Sequence, residues 1–185
     1  MDVESTMLPL GTKLPEFNLK GIDEKNYKNS DFSENNGLLV MFICNHCPFV
    51  KHINKELVDF TNDLMAKNIG VIGINSNDSS QEKYAEDSIE KMKEYAAELG
   101  YQFPYVVDED QSAAKNFTAK CTPDFFLFDE NKNLAGAEDY YLWIKVALKK
   151  HKFKKIDLNL GNYSFGDDSF TSSKKATIYF QLVTI

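Results

Sequence analysis

Cys44-Asn45-His46-Cys47-Pro48 is the segment of this chain best equipped for chemistry. Two thiols separated by two residues can join as a disulfide and part again by exchange with another thiol. Where such a pair meets the start of a helix, the unpaired N–H groups and the positive end of the dipole favour an anion. A thiolate is such an anion, so the placement predicts a Cys44 pKa below the ~8.5 of a free thiol. Residues three apart on a helical turn share a face, which brings the two Cα atoms towards the ~5.5–6 Å of an unstrained disulfide. On this reading Cys44 lies further out and attacks, while Cys47, one turn in, resolves. His46, when protonated, favours the thiolate further and stabilises the reduced form. The expected redox poise is more oxidising than thioredoxin's, between about −270 and about −120 mV. Two blander uses stay open: half of a zinc site, with His52 as the nearest further ligand, and reduced core cysteines.

The surrounding pattern supplies the elements that must hold this pair. Leu38 to Ile43 is a continuous apolar run, as expected of a central strand buried on both faces. After the cysteines, Phe49, Ile53, Leu57, Phe60 and Leu64 recur every three or four residues, an amphipathic helix running to about Lys67. Ile69 to Asn75 reads as a second strand, followed by a polar loop from Ser76 to Asp87. A helix from about Ser88 carries Ile89, Met92, Tyr95, Ala96 and Leu99, and Gly100 stands where a C-cap glycine belongs. Tyr105 to Val107, Gln111 to Phe117 and Phe125 to Phe128 then read as strand, helix and strand. Two weaker strands are expected around Phe17 and Tyr27. This alternation specifies an α/β layer fold with a largely parallel centre.

Cys121-Thr122-Pro123-Asp124 precedes the last of these strands. A proline at a strand entrance can simply mark a turn. In a redox fold of this layout a cis peptide bond packed against the cysteine pair is expected instead. The Thr122 backbone would then be free to pair with an extended substrate. Cys121 is either a buried free thiol or an accessory thiol near the pair.

Composition narrows the classes. The 185 residues, 43% hydrophobic, suit one domain with a sizeable core. All 21 basic residues are Lys, set against 28 acidic ones for a net charge of −7. No basic stripe exists to neutralise phosphates, which argues against nucleic-acid or anionic-membrane partners. Three Cys are too few for a disulfide scaffold. The opening MDVESTMLPLG has no secretory pattern, and no run approaches the ~20 apolar residues of a membrane span, so a cytoplasmic location is expected.

CNHCPFVKH followed by CTPDFFLFD resembles the thioredoxin-like alkyl hydroperoxide reductase / thiol-specific antioxidant (peroxiredoxin-like) superfamily. It is most similar to a subgroup with a Cys-Asn-His-Cys-Pro active site and a Cys-Thr-Pro-Asp segment. The resemblance runs from about Leu8 to Ala135 and includes LGTKLPEF, GINSND, EDSIEKMKEYA and YQFPYVVDE. It implies a thioredoxin fold, a central mixed sheet flanked by helices. Cys44 and Cys47 would be the redox-active pair, Pro123 the cis-proline, and peroxide or disulfide metabolism the setting. Peroxiredoxins proper place Thr or Ser three residues before the peroxidatic Cys, where this chain has Cys44. They also use an active-site Arg, and this chain contains none.

The reading is therefore a thiol–disulfide oxidoreductase, with Cys44, Cys47 and His46 catalytic and Thr122 and Pro123 against the substrate. Its substrates would be protein or small-molecule disulfides and thiols, and no cofactor is required. A thiol peroxidase acting on hydroperoxides is the rival enzyme. A Cu(I)- or Zn-binding module using Cys44, His46 and Cys47 is the rival of another class. Residues 1–135 form the thioredoxin-like unit. From about Gly136 the family continues with an Arg-Gly strand, an Asp-x-Ser-Arg-Pro segment and a helix, whereas this chain reads GAEDYYLWIKVALKKHKFKK. Residues 136–185 are thus either a divergent end or a segment translated out of frame. A divergent end would carry an amphipathic helix over Tyr140 to Leu148 and a late strand from Ile178 to Thr184.

Overall fold

A computed structural model describes residues 8–136, and the expectations for the rest of the tail fall outside these residues. Seven strands form one mixed sheet in the order β2-β1-β5-β4-β3-β6-β7. In chain order they are β1 (Asn18–Gly21), β2 (Asn26–Lys28), β3 (Gly37–Phe42), β4 (Ile69–Asn75), β5 (Tyr105–Val107), β6 (Asp124–Phe128) and β7 (Leu134–Gly136). The helices are α1 (Pro48–Met65), α2 (Ile89–Leu99) and α3 (Ser112–Phe117). The central β5-β4-β3 block is parallel, and β6 joins β3 antiparallel. The weak early strands are real: β1 and β2 pair antiparallel, with Leu19 opposite Tyr27.

Strand β3 is buried along its whole length because both faces are covered. Leu39 and Met41 point to one face, where they meet Leu57 and Phe60 of α1 and Met92 of α2. Leu38, Val40 and Phe42 point to the other, against Phe117 of α3 and Phe126 and Phe128 of β6. Helix α2 is delimited as its ends require: the Ser88 hydroxyl accepts from the Lys91 amide, and Gly100 turns left-handed at φ 74°.

One stripe is displaced from its expected position. On α1 the buried face begins at Val50, and Phe49 is 71% exposed. The apolar row Val50, Ile53, Leu57 and Leu64 keeps the helical period, whereas Phe49, in the first turn, stands outside the buried row. Among the described residues no helix is long and apolar enough to cross a membrane.

Candidate redox site

Strand β3 ends at Phe42, and α1 begins at Pro48, whose missing N–H costs nothing in a first turn. The cysteine pair occupies the connection. Cys47 is the N-cap residue, with extended backbone at φ −66° and ψ 120°, so the segment from Cys44 to Cys47 is a bend and not a helical turn. Both sulfurs nevertheless meet one residue, Thr122. The Thr122 hydroxyl lies 3.2 Å from Cys44 Sγ, and the Thr122 carbonyl accepts from Cys47 Sγ at 3.1 Å. The Thr122–Pro123 peptide bond is cis, as expected. The Thr122 carbonyl is thus engaged by Cys47 and not left free for a substrate strand.

Two expectations about Cys44 fail. It is not the outer thiol: Cys44 is 1% exposed and Cys47 is 7% exposed. Its pKa also moves the other way. Burial pushes the Cys44 thiol up to about 11, and the Asp87 and Cys47 charges add to the rise, against hydrogen bonds from Thr122 and the Cys47 backbone. The helix dipole acts on Cys47, which is the residue at the tip, so the field expected for Cys44 is spent three residues further on.

This shift carries a stability prediction. The unfolded thiol ionises near 9.0 and the folded one near 11, so the native state holds its proton longer. The resulting stabilisation is intact below pH 9 and is lost as pH rises through 11. Burial shifts Tyr101 and Tyr105 in the same direction. Thermal denaturation followed by circular dichroism should show the midpoint falling over that alkaline range, and less steeply in Cys44→Ser. A midpoint that holds level to pH 11 contradicts the shift.

His46 is held by a residue that sequence reasoning passed over. Its Nδ1 lies 2.6 Å from Asp87 Oδ2, and the Asp87 side chain has no exposed surface. Asp87 Oδ1 accepts from the Asn45 backbone at 2.7 Å, and Oδ2 accepts also from Asn77 Nδ2 at 3.0 Å. Asp87 closes a 3-10 helix, Glu82–Asp87, inside what reads in sequence as a plain polar loop. The available signal was Asp87 standing beside the Ser88 cap, where a loop turns inward. Cys44 Sγ, a His46 ring nitrogen and an Asp87 oxygen all lie within 4.8 Å of one another. Asp87, and not Cys47, therefore completes the group around His46. Both Asp87 oxygens are already committed to protein donors, an arrangement better suited to holding a proton than a metal ion.

Beside this group lies a cavity of about 330 Å³, lined by His46, Tyr84, Lys115, Lys120, Cys121 and Thr122 among others. Cys121 is half-buried, and burial, reinforced by Asp124 and Cys47, raises its pKa. It is thus not a sealed core residue, and it lies near enough to Cys47 to feel its charge.

The chain matches the AhpC/TSA family over residues 10–137. It belongs to that family. Among solved structures, an uncharacterized conserved protein from Geobacillus kaustophilus is 47% identical with a TM-score of 0.70, covering 73% of this chain and 71% of that one. A hypothetical protein from Sinorhizobium meliloti 1021 is 37% identical with a TM-score of 0.69, covering 72% of each chain. A thioredoxin-family thiol:disulfide interchange protein from Chlorobium tepidum TLS is 17% identical with a TM-score of 0.58, covering 69% of this chain and 84% of that one, a likeness of fold. No curated protein is matched. This AhpC/TSA protein has a thioredoxin fold and is of the thiol-based redox type.

Proposed function

We propose that this protein is a thiol–disulfide oxidoreductase whose working pair is Cys44 and Cys47. The observation that carries the reading is the contact of both sulfurs with one residue, Thr122, at 3.2 and 3.1 Å. The gathering of two thiols on the hydroxyl and the carbonyl of one residue supports their use as an exchanging pair. Cys44 attacks a substrate disulfide, the mixed disulfide forms, and Cys47 displaces the second thiol. Closing the pair removes the Cys47 proton that the Thr122 carbonyl accepts, which frees that carbonyl for an extended substrate segment next to Pro123. A dithiol partner returns the two electrons.

Because burial holds Cys44 protonated, the reduced form lacks the thiolate stabilisation that makes a strong oxidant. The expected potential is therefore nearer −270 than −120 mV, at about the thioredoxin end of the range. Equilibration with a dithiol buffer series, read by mass as loss of two hydrogens, measures it. In the same samples a hydroperoxide is offered in place of the disulfide. Oxidation by hydroperoxide that outruns oxidation by every disulfide would replace this reading with the peroxidase one.

A further inference from the structure

A fully buried carboxylate is costly unless every lone pair is used, and Asp87 uses both oxygens on three donors. Two of those donors, the Asn45 amide and His46 Nδ1, belong to the residues between the cysteines. A carboxylate only accepts, so the neutral His46 ring carries its proton on Nδ1 and leaves Nε2 bare. The ring is 30% exposed and lines the cavity with Thr122 and Cys121. Its remaining nitrogen, on the edge away from Asp87, is thus available to whatever enters. Cys44 Sγ, one His46 ring nitrogen and an Asp87 oxygen lie within 4.8 Å of one another, and the buried Cys44 thiol must lose its proton in order to attack.

We propose that Asp87 is a positioning residue that holds His46 as the proton shuttle of disulfide exchange. This rests on the oxidoreductase reading above and adds the residue that makes it work from a buried thiol. His46 Nε2 takes the proton from Cys44 as its sulfur bonds to one sulfur of the substrate. The old S–S bond breaks with its electron pair on the departing sulfur, and Nε2 returns the proton there. Cys44–SH and RS–SR′ become Cys44–S–SR and R′SH, with no other acid, base or oxidant consumed. Other ionisable groups lie on the segments around the ring. Cys44 and Cys47 lie on its own loop, Tyr84 beneath Lys83 and Glu86 paired to Lys51 on the Asp87 side, and Cys121, Lys115 and Lys120 across the cavity. Asp87 is the group in hydrogen-bond contact with a His46 ring nitrogen.

The test is the dependence on leaving group. A nitrobenzoate thiolate departs readily unprotonated, whereas an alkyl thiolate benefits from a proton in flight. Reduced wild type, Asp87→Asn, His46→Gln and the double variant are mixed in single turnovers with dithiobis(nitrobenzoate) and with hydroxyethyl disulfide. The rate with the alkyl disulfide should fall about a hundred-fold in Asp87→Asn and in His46→Gln, at least ten-fold more than with the aromatic one. The double variant should be no slower than His46→Gln, since the two act as one unit. Equal slowing of both disulfides, no slowing of either, or losses that multiply would overturn the shuttle. Should Asp87→Asn fail to fold, nitrogen NMR of the wild-type ring decides: Nδ1 protonated and Nε2 bare supports the assignment, and the opposite tautomer ends it. A wild type that reacts with neither disulfide defeats the oxidoreductase reading itself, an outcome distinct from all of these.

Discussion

Replacing Cys44 by Ser should lower single-turnover disulfide reduction at least about a thousand-fold, because a hydroxyl neither ionises usefully nor forms a bond that exchange can reverse. Cys47→Ser should behave differently. Attack by Cys44 survives, resolution does not, and a mixed disulfide between Cys44 and the substrate should accumulate. Non-reducing electrophoresis and peptide mass mapping distinguish the two cases. The assignment of roles is open to direct reversal, since Cys47 is the N-cap of α1 and slightly the more exposed of the pair. If Cys44→Ser traps substrate on Cys47 while Cys47→Ser traps none, Cys47 is the nucleophile. Serine fits either site sterically, so both variants should fold.

Phe117→Ala is expected to cost about 4 kcal/mol, within the usual range for deleting a buried aromatic ring. Phe117 has no exposed surface. Its ring stands 5.5 Å from both Phe42 and Phe126, 6.0 Å from Phe128 and 6.5 Å from Phe17. It therefore joins the last residue of β3 to the strand that follows Pro123. Helix α3 has only six residues and ends at Thr118 with φ 57°, too short to hold its own shape without this anchor. Urea denaturation followed by fluorescence and circular dichroism measures the loss. A change under about 1 kcal/mol would mean that the aromatic cluster repacks around the gap. Because α3 contributes Ala114 and Lys115 to the cavity, reduction of small disulfides should weaken along with stability.

Much of the layout could be read from the chain. Six contiguous apolar residues read as a strand covered on both faces, and β3 is that strand. Leu57, Phe60 and Leu64 keep their helical spacing because a period of 3.6 residues is a property of the backbone, independent of partners. Phe49 breaks the series because helical period says which residues share a stripe, but not how far along its length the sheet reaches.

The cysteine pair and the cis proline were legible because each is a short contiguous motif whose chemistry follows from residue type and spacing. The state of those groups was not. The rise in the Cys44 pKa comes from desolvation and from Asp87, 43 positions away in sequence, and no local pattern encodes either. Helix polarity is a local rule and pointed to a stabilised anion. Burial is a sum over the core that the fold packs around Cys44, and it outweighed that rule. The same holds for the His46–Asp87 contact. A polar loop contains many acidic residues, and only the folding of the β4–α2 connection over the end of β3 brings one carboxylate to 2.6 Å from the imidazole. Which atoms can react is written in the chain; how tightly each holds its proton depends on what the fold packs around it.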